Sequence, residues 1–383
     1  MLILVINCGS SSVKYELFNV DPEEHMCRGT VERIGEKSAS ITHENNGSGK
    51  MHETVTCPDH HRAIEIIRDV LTDPDKGVLS DVAEVTGVGH RVVHGGEEFN
   101  ESTLINDEVI KSVEKFSELA PLHNPPSLEG IRGCMEIFTG VPQVAVFDTA
   151  FHQTMPEDAF IYGVPYELYE KYGIRKYGFH GTSHRYVSQK AAEVLGRPIE
   201  ELNLITVHLG NGCSMAAVAG GRSVDTSMGL TPLEGLLMGT RSGDLDPAVV
   251  AYIMEIEGIT ADQVTDLLNK KSGLLGVSGV SNDMRDILKA ISEGNERARL
   301  AYDIFVYRIK KYIGAYAAVL GTVDAVVFTA GIGENVHQIK DVLSEDLKSL
   351  LGEGTKFMTV ATNEELLIAQ DTYKVVSKEV QSK

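Results

Sequence analysis

The chain has 383 residues, with 55 acidic side chains against 35 lysines and arginines, for a formal charge of −20. Its 42% hydrophobic and 23% charged residues, 37 glycines and 12 prolines place it among globular proteins and exclude the disordered, collagen-like and disulfide-scaffold classes; at about 150 residues per domain it has room for two or three. An acidic chain without a Lys/Arg-rich run argues against nucleic acid or an anionic membrane as a partner, because both are bound through clustered cationic charge.

Residues 1–6 are too short an apolar run for a signal peptide and follow no basic residues, so they predict a strand. That strand leads into Asn7-Cys8-Gly9-Ser10-Ser11-Ser12 and Lys14, a turn rich in hydroxyls and mobile backbone. Such a turn suits donation of several N–H and O–H groups to phosphate oxygens, and it also reads as a plain Ser-rich hairpin turn. It lacks the G-x-x-x-x-G-K-[ST] spacing, and residues 13–18 alternate like a strand where a phosphate-binding loop would open a helix. Segments 37–62 and 71–81 are polar and without period, and are expected to be surface excursions. The five cysteines, Cys8, Cys27, Cys57, Cys134 and Cys213, are odd in number and never form a C-x-x-C pair, which fits reduced thiols and a cytoplasmic chain.

Arg91 sits in His-Arg-Val-Val-His-Gly-Gly at 90–96, a glycine-containing segment where a guanidinium can fork onto a carboxylate or phosphoryl group, or make a surface ion pair. After Pro125-Pro126, Ser127 is expected to cap a helix carrying Leu128, Ile131, Met135 and Phe138 at helical spacing. Asp148 ends a buried apolar strand at 144–148, where strand-end carboxylates of α/β sheets commonly face a ligand. His180 and His184 precede and open a helix over 182–195 that stops at Gly196; Gly181 between them and the missing H-E-x-x-H acid argue against a zinc site and for hydrogen bonding near phosphate.

An internal echo follows: residues 3–17 align with 204–218 at a constant offset of 201, pairing Gly9 with Gly210 and Asn7 with His208. A weaker echo pairs 144–148 with 325–329. Together they suggest a duplicated domain with a ligand between the halves, with chance similarity of β-hairpins as the alternative. Arg241 lies in Gly-Thr-Arg-Ser-Gly-Asp at 239–244, open to the same two readings as Arg91. A helix over 297–320 is predicted to bury Leu300, Ile304, Ile309, Ile313, Tyr316 and Leu320 on one stripe. The nearly uncharged stretch 315–333 holds Gly321, Thr322 and Asp324, and so reads as a helix end, a turn and a buried strand instead of a membrane span. Gly331-Ile-Gly-Glu-Asn335 closes that strand, a third turn where backbone can approach a nucleotide, and Asn7, Asp148 and Glu364 could hold a hard divalent cation through oxygen.

These motifs, with Phe-Asp-Thr-Ala-Phe-His-Gln at 147–153, Gly-Phe-His-Gly-Thr-Ser-His at 178–184, Ser-Asn-Asp-Met-Arg-Asp at 281–286 and Thr-Asn-Glu-Glu-Leu at 362–366, resemble the acetate kinase family in collinear order over nearly the whole chain. The resemblance implies an α/β fold of duplicated ribonuclease-H-like (actin-like) domains flanking a nucleotide cleft, the first comprising 1–148 plus 366–383 and the second 149–365. It implies a homodimer and the reversible transfer of the ATP γ-phosphoryl group to acetate, giving acetyl phosphate and ADP, with Mg²⁺ or, in its place, Mn²⁺. By matched position it assigns Asn7 and Glu364 to the metal, Ser12 and Lys14 to phosphate, Arg91 to acetate, Asp148 to catalysis, and His180 and Arg241 to the transition state. Val93, Leu122, Phe179 and Pro232 match a small apolar pocket for the acetate methyl, with His123 beside it. His208, Leu209, Gly210, Asn211 and Gly212, then Asp283, Met284 and Arg285, then Gly331, Ile332, Gly333, Glu334 and Asn335, match the nucleotide-binding segments.

A carboxylate acceptor with a pKa of about 4 to 5 is already ionised at neutral pH, so Asp148 is not needed as a general base, and direct in-line attack is expected. The alternatives are a propionate or other short-chain carboxylate kinase and, from another class, a non-catalytic nucleotide-switched actin-like module.

Overall fold

A computed structural model describes residues 1–47, 49–118, 120 and 123–381. The chain divides into two compact units, Met1–Phe151 with Asn363–Lys383, and His152–Thr362.

In the first unit, β1 (Leu2–Cys8), β2 (Ser12–Val20), β3 (Glu23–Glu32), β4 (Ser40–Asn45) and β5 (Gly49–Thr54) pair antiparallel in succession. β6 (Val85–Val92) then adds parallel to β1, β8 (Gln143–Phe147) parallel to β6, and the short β7 (Thr103–Leu104) closes the far edge. β6 reads Val-Thr-Gly-Val-Gly-His-Arg-Val, and its alternation splits the work. Val88 joins the apolar cluster that also contains Leu4 and Ile6 of β1 and Ile64 and Ile67 of the helix His60–Leu71. Gly87 and Gly89 face the other way, toward the helix Glu364–Gln381, whose Ile368, Thr372 and Val376 occupy the space their side chains would need.

In the second unit, β9 (Asn203–Leu209), β10 (Cys213–Ala219) and β11 (Arg222–Thr226) form an antiparallel meander, with β12 (Ala325–Thr329) parallel to β9 and β13 (Lys356–Thr359) parallel to β12. Both units therefore share one strand order, β3-β2-β1-β6-β8 and β11-β10-β9-β12-β13, the ribonuclease-H-like arrangement. The offset of 201 maps β1 onto β9 residue for residue and the start of β2 onto the start of β10.

The weaker echo is corrected. The strand at 325–329 is β12, which pairs with β9 and so corresponds to β6, whereas 144–147 lie in β8, the counterpart of β13, with Asp148 just past its end. Buried parallel strands are near-continuous Val/Ala/Phe runs, so sequence likeness does not distinguish their places in the sheet. Segment 37–62 is not merely an excursion: it holds the β4–β5 hairpin and the start of the helix His60–Leu71, and it lacked a hydrophobic period because nearly every β5 residue is solvent-exposed. Ser127 is not a helix cap. The helix Asn124–Ile137 starts earlier because its prolines fall in the first turn, where no N–H is needed, and the Ser127 hydroxyl donates to the His123 carbonyl. In the helix Glu296–Leu320, Ala298, Ala301, Phe305, Ile309, Ile313 and Tyr316 are buried, and Leu300 is on the exposed side. Residues 315–333 comprise that helix's end, a turn, β12 and the start of a short helix, Ala330–Asn335, and among the described residues no helix is long and apolar enough to cross a membrane.

A Cβ on Gly89 would stand 2.3 Å from Thr372 Oγ1 and 2.8 Å from Ile368 Cγ2. Gly89→Ala is expected to destabilise the protein by about 1–3 kcal/mol through overpacking, read from the denaturant midpoint.

Candidate active site

Adjacent parallel strands bring the first unit's polar residues to one sheet end. Ile6 pairs with His90 and Val92 with Phe147, so Asn7, Arg91 and Asp148 leave β1, β6 and β8 side by side. The Arg91 guanidinium forks onto Asp148, Nε to Oδ1 at 3.1 Å and Nη2 to Oδ2 at 2.5 Å, and its Nη1 reaches Asn7 Oδ1 at 3.4 Å. Glu364, at the first turn of its helix, lies 3.9 Å from Arg91 Nε. Burial works against the Arg91 charge, but Asp148 and Glu364 outweigh it and hold its pKa above the ordinary value. Burial pushes the Glu364 carboxyl up to about 7, against the pull of Arg91 and with the push of Asp148 and Glu365.

The first turn closes through Gly9 N to Ser12 O at 2.8 Å, and Lys14 on β2 stands across from Asn7. Outside the turn, His60 grips the Gly9 carbonyl with Nε2 at 2.7 Å, while its Nδ1 faces Glu129 at 2.9 Å. Val93 is buried just beyond Arg91. The loop after it is held by the fully buried Asn124, whose amide donates to the carbonyls of His94 and Val113 and accepts from the His94 N–H. His123 immediately precedes that helix, and Leu122 lies outside the described residues.

The second unit builds a separate constellation. His180 takes a left-handed backbone, φ 55°, before the helix Gly181–Leu195, and its ring stacks on His208 at 4.1 Å between centroids. Such a backbone in a non-glycine residue persists only where its surroundings hold it. A Cβ on Gly212 would stand 3.3 Å from Arg241 Nη1 and 3.4 Å from His180 Cε1, so arginine and imidazole converge on a glycine that leaves them room. Arg241 Nη1 also reaches the Pro232 carbonyl at 3.3 Å, and burial lowers its pKa. Its loop is braced at Asp244, which accepts from Gly235 N at 2.8 Å and from the Tyr312 hydroxyl at 2.8 Å. Phe179 is buried beside His180 in the sequence.

Gly210, Asn211, Asp283, Met284, Arg285, Gly331, Ile332 and Asn335 line one cavity of about 510 Å³, with Asn282 and Val336. Leu209, Gly333 and Glu334 do not line it. Glu334 Oε1 accepts from the N–H groups of Ala330 at 2.9 Å and Thr362 at 3.2 Å, Gly333 packs on the β12 backbone, and Leu209 is buried. Ala330, at φ 64°, is a second non-glycine held left-handed, where β12 gives way to this turn.

Sequence reasoning missed His60, Asn124, Ser214 and Asp244. Ser214 was reachable, since the echoed hairpin brings it opposite His208. Asn124 carried no signal beyond its neighbouring prolines.

The fold recurs in solved relatives. The crystal structure of Porphyromonas gingivalis acetate kinase matches with a TM-score of 0.93 at 45% identity, covering 98% of this chain and 99% of that one. A propionate kinase from Francisella tularensis matches at 0.91 and 43%, with the same coverage. The class is thus that of the short-chain carboxylate kinases' ribonuclease-H-like fold. A family model described as the acetokinase family covers residues 2–379, and the acetate kinase of Halothermothrix orenii is 55% identical over 98% of this chain and 100% of its own length. The chain belongs to the acetokinase family.

Proposed function

We propose that this protein catalyses the reversible, magnesium-dependent transfer of the ATP γ-phosphoryl group to acetate, giving acetyl phosphate and ADP. The observation that carries this reading is the Arg91 guanidinium, already forked onto a carboxylate at the ends of three strands. Full-length identity to acetate kinases supports it. The Arg91 cluster takes the acetate carboxylate, with Val93 among the apolar contacts of its methyl. The cavity at Gly210, Asn211, Asp283, Met284, Arg285 and Gly331 takes the adenine nucleotide, and Arg241 and His180 meet its transferred phosphoryl group.

Bringing a carboxylate against a phosphate at about 4 Å and an effective dielectric of about 20 costs about 4 kcal/mol per pair of unit charges. Fixed cations offset this, and in a loose transition state they follow charge spreading onto the equatorial oxygens. Arg91 neutralises the acceptor, Arg241 and Lys14 the phosphoryl oxygens, and His180 donates a hydrogen bond. The acceptor is ionised at neutral pH, so no base is required. Asp148, with both oxygens on Arg91, orients that guanidinium.

The donor set at this end of the first unit is all oxygen, and the Glu364 carboxyl, raised to about 7 chiefly by burial, has Asp148 and Glu365 as further negative neighbours. Both features fit Mg²⁺, which takes one or two carboxylates plus substrate phosphates. Asn7 and Glu364 would hold it, and it would neutralise phosphate charge.

Five buried free cysteines fit a cytoplasmic location. A homodimer is supported by the helix Pro247–Glu257, which buries none of its residues and exposes Val249, Tyr252 and Ile256, an apolar face that a second copy can cover.

Arg91→Ala and Arg241→Ala should each cut kcat at least about a hundredfold in a hydroxamate assay with acetate, ATP and Mg²⁺. Near-normal turnover in both folded variants would refute the assignment. Propionate should be used less efficiently than acetate, by about 10- to 200-fold in kcat/KM for the extra methylene, and a preference for butyrate in the same assay would overturn the small-pocket reading. Sedimentation equilibrium should give twice the 41.7 kDa chain mass, and Tyr252→Glu should shift it toward the monomer.

A further inference from the structure

Three buried side chains of the second unit form a chain that ends on His180. Thr206 Oγ1 lies 2.7 Å from His184 Nδ1, His184 Nε2 lies 2.8 Å from Ser214 Oγ, and Ser214 Oγ lies 2.8 Å from His180 Nδ1. Thr206, His184 and Ser214 are all fully buried. Burial, with His152 and His208 close by, holds His184 well below the ordinary histidine pKa, so its ring is neutral, with one donor and one acceptor nitrogen.

The direction of the protons follows from the distances. The Thr206 hydroxyl has a short partner in His184 Nδ1 and only a long one, at 3.5 Å, in the Ala216 carbonyl, so it donates to the ring. His184 then donates from Nε2 to Ser214 Oγ, and the Ser214 proton is left for His180 Nδ1. Each of the three groups donates once, so His180, when neutral, carries its own proton on Nε2. That atom faces the 210–212 turn, since a Cβ on Gly212 would stand 3.6 Å from it. His208 is held in the same manner: Ser183 Oγ lies 2.8 Å from its Nδ1 and 2.9 Å from Thr362 Oγ1, and its Nε2 would lie 3.9 Å from a Cβ on Gly210.

We propose that Ser214, oriented by His184 and Thr206, is a positioning residue that fixes the neutral His180 in its Nε2–H form, so that this imidazole donates to a phosphoryl oxygen without first being protonated. The inference rests on the reading of His180 as a phosphoryl contact. Without the Ser214 hydroxyl, the neutral ring can carry its proton on either nitrogen, and only protonation guarantees the donor at Nε2. Within this unit the titratable and charged groups turned toward the two rings are His208, stacked on His180; His152, edge-on to His184 at 5.6 Å with Lys176 behind it; and Arg241, across Gly212 from His180.

The test is kcat against pH for the full enzyme and its Ser214→Ala, Ser214→Thr and His180→Ala variants, beside ¹⁵N NMR of histidine-labelled protein to read the His180 tautomer. Ser214→Ala should lose about tenfold in kcat at pH 8, the scale of one hydrogen bond. It should recover most of that as the pH falls and protonation of the ring supplies the donor. KM for ATP should stay within about twofold. The His180 nitrogen signals should move from the Nε2–H pattern toward a mixture, and Ser214→Thr, which keeps the hydroxyl, should restore both. A wild-type profile in Ser214→Ala, or a pH-independent loss with the tautomer unchanged, overturns the relay. Near-normal turnover in His180→Ala overturns instead the role of His180 itself. If Ser214→Ala fails to fold, Thr206→Val, which removes the first donor of the chain, must show the same pH-dependent loss.

Discussion

A partly buried guanidinium clamped by carboxylates at a sheet end is the interaction on which the first unit's chemistry depends. Arg91 is buried enough that its charge would be costly alone, and Asp148 makes it tolerable by accepting two parallel hydrogen bonds. Neither residue could be placed by a loop to the same tolerance. Three adjacent parallel strands fix the positions from which Asn7, Arg91 and Asp148 depart, and the helix bearing Glu364 is seated on β6 only because Gly87 and Gly89 leave it room. Small residues in the middle of a strand therefore govern where a carboxylate at the start of a distant helix comes to rest.

The duplication supplies the second unit with the same scaffold and different chemistry. Position 7 and position 208 are equivalent in their strands, yet one carries an amide and the other an imidazole. Their hairpin partners differ too: Asn7 faces Lys14, whereas the second hairpin is one residue tighter and sets Ser214 opposite His208. One fold thus presents an amide, an arginine and carboxylates at one sheet end, and neutral donors with a second arginine at the other. That division suits the proposed handling of a carboxylate by one unit and of a nucleotide phosphate by the other.

Left-handed backbone at His180 and Ala330 marks the two places where the second unit departs from relaxed geometry, and both adjoin the turns assigned to phosphate and nucleotide. Each is held from behind by polar groups: Ser214 at the His180 ring, and Glu334 at the Ala330 amide. The four polar side chains that serve as braces, the buried Asn124 and Ser214 and the partly exposed Glu334 and Asp244, were not read as such in the sequence, because a lone polar residue in a chain of this composition has no pattern to distinguish it.

The amino-acid sequence by itself determined the elements whose signal is local or repeated: the hairpins at offset 201, the glycine-rich turns, the helix stopping at Gly196, and, through collinear motifs, the family. It could not decide that β12 answers to β6 and not to β8, since parallel strands buried on both faces all read as apolar runs and differ only in their neighbours. Nor could it decide that Arg91 meets Asp148, 57 residues away, or that Glu364 belongs with the first 151 residues. Those pairings follow from sheet order and register, which are set by contacts between segments far apart in the chain. The buried relay from Thr206 to His180 is likewise a tertiary fact, because a hydroxyl's direction of donation depends on which acceptor the fold brings within hydrogen-bonding reach.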